Sequence, residues 1–131
     1  YTTVVMAKKK ARVLLVEDEK MLADMYSTKF SMDGYETFTA YDGEDGFAKA
    51  KELKPDIILL DIIMPKIDGF GVLKMVRDEE ATKKTPVILL TNLGQDEDIK
   101  KGKQLGATDY FIKANHTPAE IVNKVRGILG E

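Results

Sequence analysis

Three stretches of the chain are short, unbroken runs of apolar residues: RVLLVED at 12–18, DIILLD at 56–61 and PVILLTN at 86–92. Each stops abruptly at a polar residue. An alternating run buries one face of a strand, whereas a continuous run suits a strand covered on both faces, as in a parallel sheet between layers of helix. Two weaker segments, YETFTA at 35–40 with an edge-like pattern and DYFIK at 109–113, bring the expected strands to five.

Helical spacing fills the intervals. Leu22, Met25, Tyr26 and Phe30 lie on one face of a first helix, with Gly34 just beyond its end. Asp42 opens a second, with Phe47, Ala50 and Leu53 facing inward. A third runs from about Phe70 to Arg77 and a fourth from Asp96 to Leu105, the latter weakened by Gly102. The last is the most strongly written. Thr117 stands at the N-cap, Pro118 at the first helical position and Glu120 where a capping box needs it, followed by Ile121, Val122, Val125, Ile128 and Leu129. Five strand–helix units in alternation predict an α/β three-layer, doubly wound sandwich with right-handed crossovers.

Composition narrows the class. The 131 residues suffice for one domain with a real core, and no repeat, low-complexity segment or linker divides them. A net charge of -2 and a pI near 5.5 give no electrostatic basis for holding nucleic acid or an anionic membrane. The absence of cysteine excludes disulfides and thiolate metal sites and suits a reducing compartment. No apolar run approaches the roughly 20 residues of a membrane span, and VLLV after the lysines is too short for a signal peptide. The expected location is cytoplasmic. Met6, followed by Ala7 and three lysines, reads as a natural start, which makes residues 1–5 a remnant of cloning and residues 1–9 an N-terminal extension to a folded unit at 10–131.

The candidate chemistry lies where the strands end. In an open parallel sheet, ligands bind beyond the carboxyl ends of the strands. There stand Glu17 and Asp18 after the first strand, Asp61 after the third, Thr91 after the fourth and Lys113 after the fifth. Taken singly, each has an ordinary reading as a cap, a loop acid, a strand residue or a surface lysine. Together, four strands deliver complementary groups to one edge. Two carboxylates about 4 Å apart repel by about 4 kcal/mol at an effective dielectric near 20, so three in one cleft call for a cation. Mg²⁺ suits them, because it takes one or two carboxylates and keeps exchangeable waters.

The acid pair ED at 17–18, LLDIIMPKIDG at 59–69, LLT at 89–91 and GATDYFIK at 106–113 resemble the motifs of the receiver domain of bacterial response regulators, over about Lys10 to Leu129. The resemblance implies a flavodoxin-like sheet of order 2-1-3-4-5 and a phosphorylation-dependent switch of a two-component system rather than an enzyme proper. By the same resemblance, Asp61 accepts a phosphoryl group from a histidine kinase or phosphotransfer protein. Glu17, Asp18, Asp61 and the backbone carbonyl of Ile63 hold Mg²⁺. Lys113 contacts the phosphate, Thr91 hydrogen-bonds it, and Tyr110 is the aromatic switch. The fourth helix, fifth strand and last helix, with Lys100, Lys101, Lys103, Asp109 and Tyr110, form the face toward a downstream protein. Because the chain stops soon after the last helical pattern, a single-domain regulator or a fragment of a longer one is expected.

Four departures from the family pattern stand out. Glu17 occupies a position where Asp is commoner. Asn92 follows Thr91 where a small residue is typical, which predicts crowding of the phosphate's approach. Ala114 follows Lys113 in place of proline, and the cost of a non-proline cis bond, about 3–4 kcal/mol, favours trans. Ile63 and Leu93, both apolar, are expected to cover the phosphoryl group. Pro65 and Gly69 shape the loop after Asp61, the glycine by permitting a positive φ. A flavin module is disfavoured by the acidic EDEK loop, and a haloacid-dehalogenase phosphatase by Ile63 where its second aspartate belongs. A receiver-like interaction domain that is never phosphorylated remains the alternative.

Overall fold

The structure, a computed structural model, describes residues 10–131. The expectations for residues 1–9 lie outside the described residues. Strands β1 (Arg12–Val16), β2 (Glu36–Ala40), β3 (Ile57–Leu60), β4 (Val87–Thr91) and β5 (Asp109–Ile112) alternate with helices α1 (Lys20–Met32), α2 (Gly43–Leu53), α3 (Gly69–Asp78), α4 (Asp96–Gln104) and α5 (Pro118–Ile128). The sheet is parallel throughout, in the order β2-β1-β3-β4-β5. The flavodoxin-like sandwich expected from the sequence is therefore the fold.

The unbroken apolar runs are explained by two cores, one on each face. Val13, Leu15, Ile57, Leu59, Ile88 and Leu90 turn toward α1 and α5, meeting Tyr26, Phe30, Ile121, Val122 and Val125. Their neighbours Leu14, Val16, Ile58, Leu60, Val87 and Leu89 point the other way, onto Val72, Leu73 and Val76 of α3. Each such side chain, fully buried, contributes about 1.5–3 kcal/mol of transfer free energy. β3 sits between β1 and β4 with every position buried, so Asp61, the next residue, leaves a fully buried strand.

The helix ends follow their sequence signals. Asp42 caps α2 by accepting from Asp45 N–H at 2.8 Å, and Gly34 beyond α1 takes φ +93°. Thr117 and Glu120 form the complete capping box of α5. α4 is the contrast, with no side-chain cap and Gly102 as its one buried residue. Gly102 marks a close approach: a Cβ there would lie 2.7 Å from Leu89 Cδ1 and 3.2 Å from a Tyr110 ring carbon. The glycine that weakened the helical pattern is what lets α4 settle on the sheet.

Candidate functional site

The carboxyl ends of β1, β3 and β5 bring one cation to two buried carboxylates. Glu17 extends β1, its N–H donating to Ala40 carbonyl of β2 at 3.0 Å, and Asp61 extends β3, its N–H donating to Val16 carbonyl at 3.0 Å. Both backbones are thus fixed by the sheet, and the residues are only 2% and 8% exposed. Lys113, in a 3-10 turn (Lys113–Asn115) after β5, donates from Nζ to Glu17 Oε1 and to Asp61 Oδ2, the latter at 2.8 Å. The remaining oxygens take backbone donors: Glu17 Oε2 from Glu19 N–H at 3.1 Å and Asp61 Oδ1 from Ile63 N–H at 3.3 Å. Asp18 is exposed beside them, and one carboxylate oxygen from each of Glu17, Asp18 and Asp61 lies within 4.8 Å of the others.

The charge is not balanced by this arrangement. Burial pushes the Glu17 carboxyl up to about 7, against the opposing pull of Lys113 and Glu19 N–H and with help from the Asp61 charge. Burial pulls the Lys113 ammonium down, but its bonds to Asp61 and Glu17 outweigh that, and the net shift is upward. The lysine is held charged by two acids, while one cation cannot keep both buried acids ionised. Three carboxylates of oxygen-only donor character against one ammonium leave an excess of negative charge that fits a hard divalent cation such as Mg²⁺.

Thr91 is fully buried, and its Oγ1 accepts from Leu93 N–H at 3.3 Å rather than bonding the acids. Tyr110 is half-buried and donates its hydroxyl proton to the carbonyl of the same Leu93. Burial first, then the charges of Asp98 and Asp61, raise its pKa to about 12, so the hydroxyl remains a donor at neutral pH. Leu93 therefore joins the two residues that the sequence marked as switch elements.

Two expectations are corrected. Gly69 does not have a positive φ; it is required because a Cβ would fall 2.3 Å from the Asp61 carbonyl oxygen and 2.6 Å from Ile62 Cα. The positive φ in this loop belongs to Lys66, at 70°. Ile63 is 61% exposed, presenting its side chain to solvent rather than enclosing the site. Asn92, expected to crowd the phosphate's approach, has its Oδ1 accepting from Ala114 N–H at 3.2 Å. The Lys113–Ala114 bond is trans. That Asn92–Ala114 contact carries no signal in the sequence beyond two unusual neighbours, 22 residues apart.

A doubly wound sheet with an acidic cleft and a bridging lysine at its carboxyl edge defines a receiver-type signalling domain. The model of the response regulator receiver domain family matches residues 13–126, and the chain belongs to that family. It is 40% identical over 118 residues to the DNA-binding dual master transcriptional regulator RpaA of Synechocystis, covering 90% of this chain and 48% of that protein. It is 36% identical over 118 residues to the alkaline phosphatase synthesis transcriptional regulatory protein PhoP of Bacillus subtilis, with the same coverage. The chain spans about half the length of these curated relatives. Among solved structures it resembles the Vibrio cholerae chemotaxis protein CheY4, with TM-score 0.86 and 33% identity over 92% of this chain and 99% of that one. A Francisella response regulator receiver domain gives TM-score 0.85 and 30% identity over 92% and 98%. The chain is thus a receiver domain of the two-component response regulator type, a signalling switch. Among the described residues no helix is long and apolar enough to cross a membrane.

Proposed function

We propose that Asp61 accepts a phosphoryl group from the phosphohistidine of a histidine kinase or phosphotransfer protein. The observation that carries this reading is the bridge of Lys113 between Asp61 and Glu17, beside an acid cluster lacking one cation. An Asp61 carboxylate oxygen attacks phosphorus, the N–P bond breaks, the imidazole departs with its electron pair, and a mixed anhydride results. The rigid β3 end fixes the nucleophile, and neighbouring apolar residues limit water. Lys113, already within reach of Asp61 Oδ2, stabilises charge on the transferring oxygens. Glu17, Asp18, Asp61 and the Ile63 carbonyl would hold Mg²⁺, which supplies further positive charge for those oxygens.

Thr91 then turns its hydroxyl from Leu93 to the phosphoryl group. Release of Leu93 N–H frees the residue whose carbonyl restrains Tyr110, shifting a two-state equilibrium of α4 and β5. The output surface is α4, β5 and α5, with Lys100, Lys101, Lys103, Asp109 and Tyr110, and it meets a downstream protein rather than nucleic acid or membrane. The setting is cytoplasmic, and the domain assists both its own phosphotransfer and the later hydrolysis. Residues 10–131 form the receiver unit.

Incubation with acetyl phosphate, with and without Mg²⁺, tests this. Acid-stable, base-labile labelling that needs Mg²⁺ and vanishes in Asp61→Asn is expected. Labelling at undiminished stoichiometry in Asp61→Asn would overturn the assignment, and no labelling of the parent would leave an unphosphorylated interaction domain.

A further inference from the structure

The residue after Thr91 and the residue after Lys113 are bonded to each other. Asn92 Oδ1 accepts from Ala114 N–H at 3.2 Å, so the turns that carry the hydroxyl and the ammonium of the site are joined directly. The carbonyl of the same Lys113–Ala114 peptide accepts from His116 N–H at 3.3 Å, which closes the 3-10 turn. The Lys113–Ala114 peptide is therefore held at both its N–H and its carbonyl, while the Lys113 side chain reaches across to two acids. A long flexible side chain finds one geometry only if its base is fixed.

The chemistry of the pair is mutual. A proline at 114 would have no N–H to give, and a glycine or alanine at 92 would have no side-chain oxygen to receive one. Both residues are exposed, so neither needs the other to escape desolvation. What the bond does is restrict the turn. It also means that the end of β4 cannot shift at Thr91 without pulling on the turn that carries Lys113.

Taking Asp61 as the phosphoryl acceptor, we propose that Asn92 is a positioning residue for Lys113, substituting a hydrogen bond for the rigidity that a proline would give the turn. It sets the maximal rate of phosphorylation by holding the ammonium over Asp61, and it couples Lys113 to Thr91.

The test compares the parent with Asn92→Leu, which keeps size and removes the acceptor, and with Asn92→Asp, which keeps an acceptor oxygen. Phosphorylation by phosphoramidate is followed as a function of donor concentration at saturating Mg²⁺, with thermal unfolding and amide exchange of Ala114 measured alongside. Asn92→Leu is expected to lower the maximal rate about threefold or more, to speed Ala114 exchange and to leave the unfolding midpoint in place. Asn92→Asp is expected to recover the maximal rate and the slow exchange, while its added negative charge raises the KM for the anionic donor. An equal maximal rate in the parent and Asn92→Leu, or a rate loss matched by a lowered unfolding midpoint, would overturn the positioning role. A parent that is never labelled would instead overturn the reading of Asp61, and this inference with it.

Discussion

At the amino edge of the sheet, the Arg77 guanidinium donates to the carbonyls of Gly106, Lys83 and Thr85 at 2.9, 3.2 and 2.6 Å. Nearby, Asp56 accepts from Arg12 N–H at 2.7 Å, and Glu131 accepts from the Tyr35 hydroxyl at 2.8 Å. At the carboxyl edge, three carboxylates gather around a single ammonium. Both edges collect polar side chains. At the amino edge Arg77, Asp56 and Glu131 each find a fixed protein partner, and the result is stability. At the carboxyl edge negative charge is left in excess, and the result is a place where a cation and a phosphoryl group can enter. What marks the working end of this sheet is an unpaired charge held on rigid backbone.

The largest break in the comparison should come from Lys113→Ala. Removing the one cation leaves two buried acids without a partner, and the metal-free protein should lose about 3 kcal/mol in urea unfolding. Mg²⁺ should restore part of that loss, while phosphorylation stays slow. Arg77→Ala, at the other edge, should cost about 2 kcal/mol through orphaned carbonyls. Its loss should be indifferent to Mg²⁺, and its labelling rate should match the parent. An Arg77→Ala protein rescued by Mg²⁺ would erase the distinction between the edges.

A smaller effect follows from Glu17. Its folded pKa, about 7, is raised above the ordinary 4.5, so between those values the folded state holds a proton that the unfolded state has released. Stability from this group therefore falls as pH rises from about 4.5 to 7 and is constant above that. Unfolding measured in chelator across this window should show the parent losing on the order of 1–2 kcal/mol relative to Glu17→Gln. Parallel pH profiles of the two proteins would show that the site bears no such strain.

The sequence made the strands legible because burial on both faces leaves an unbroken apolar run, and β3, with no exposed position, is the plainest case. It made Glu17 and Asp61 legible because each directly follows such a run. α4 was harder to read for a physical reason: its one buried residue is a glycine, chosen for close approach to Leu89 and Tyr110 rather than for helix propensity. Gly69 was read for the wrong property, since crowding against the Asp61 carbonyl leaves no trace that differs from a positive φ. The Arg77 hub went unseen because its acceptors are carbonyls, which every residue has. The bond from Ala114 to Asn92 is likewise invisible, as is the second carboxylate on Lys113, because only folding brings positions 17 and 113 together.

The excess of negative charge at the carboxyl edge is tested most directly by thermal unfolding of the parent and Asp18→Ala, each in chelator and in Mg²⁺. A ligand at about ten times its Kd adds about 1.4 kcal/mol of stability. The parent should therefore unfold at a clearly higher temperature with Mg²⁺. Asp18→Ala, relieved of one repelling acid, should match or exceed the parent in chelator and gain little from the metal. A parent whose midpoint is the same with and without Mg²⁺, or an Asp18→Ala protein that gains as much as the parent, would contradict the account.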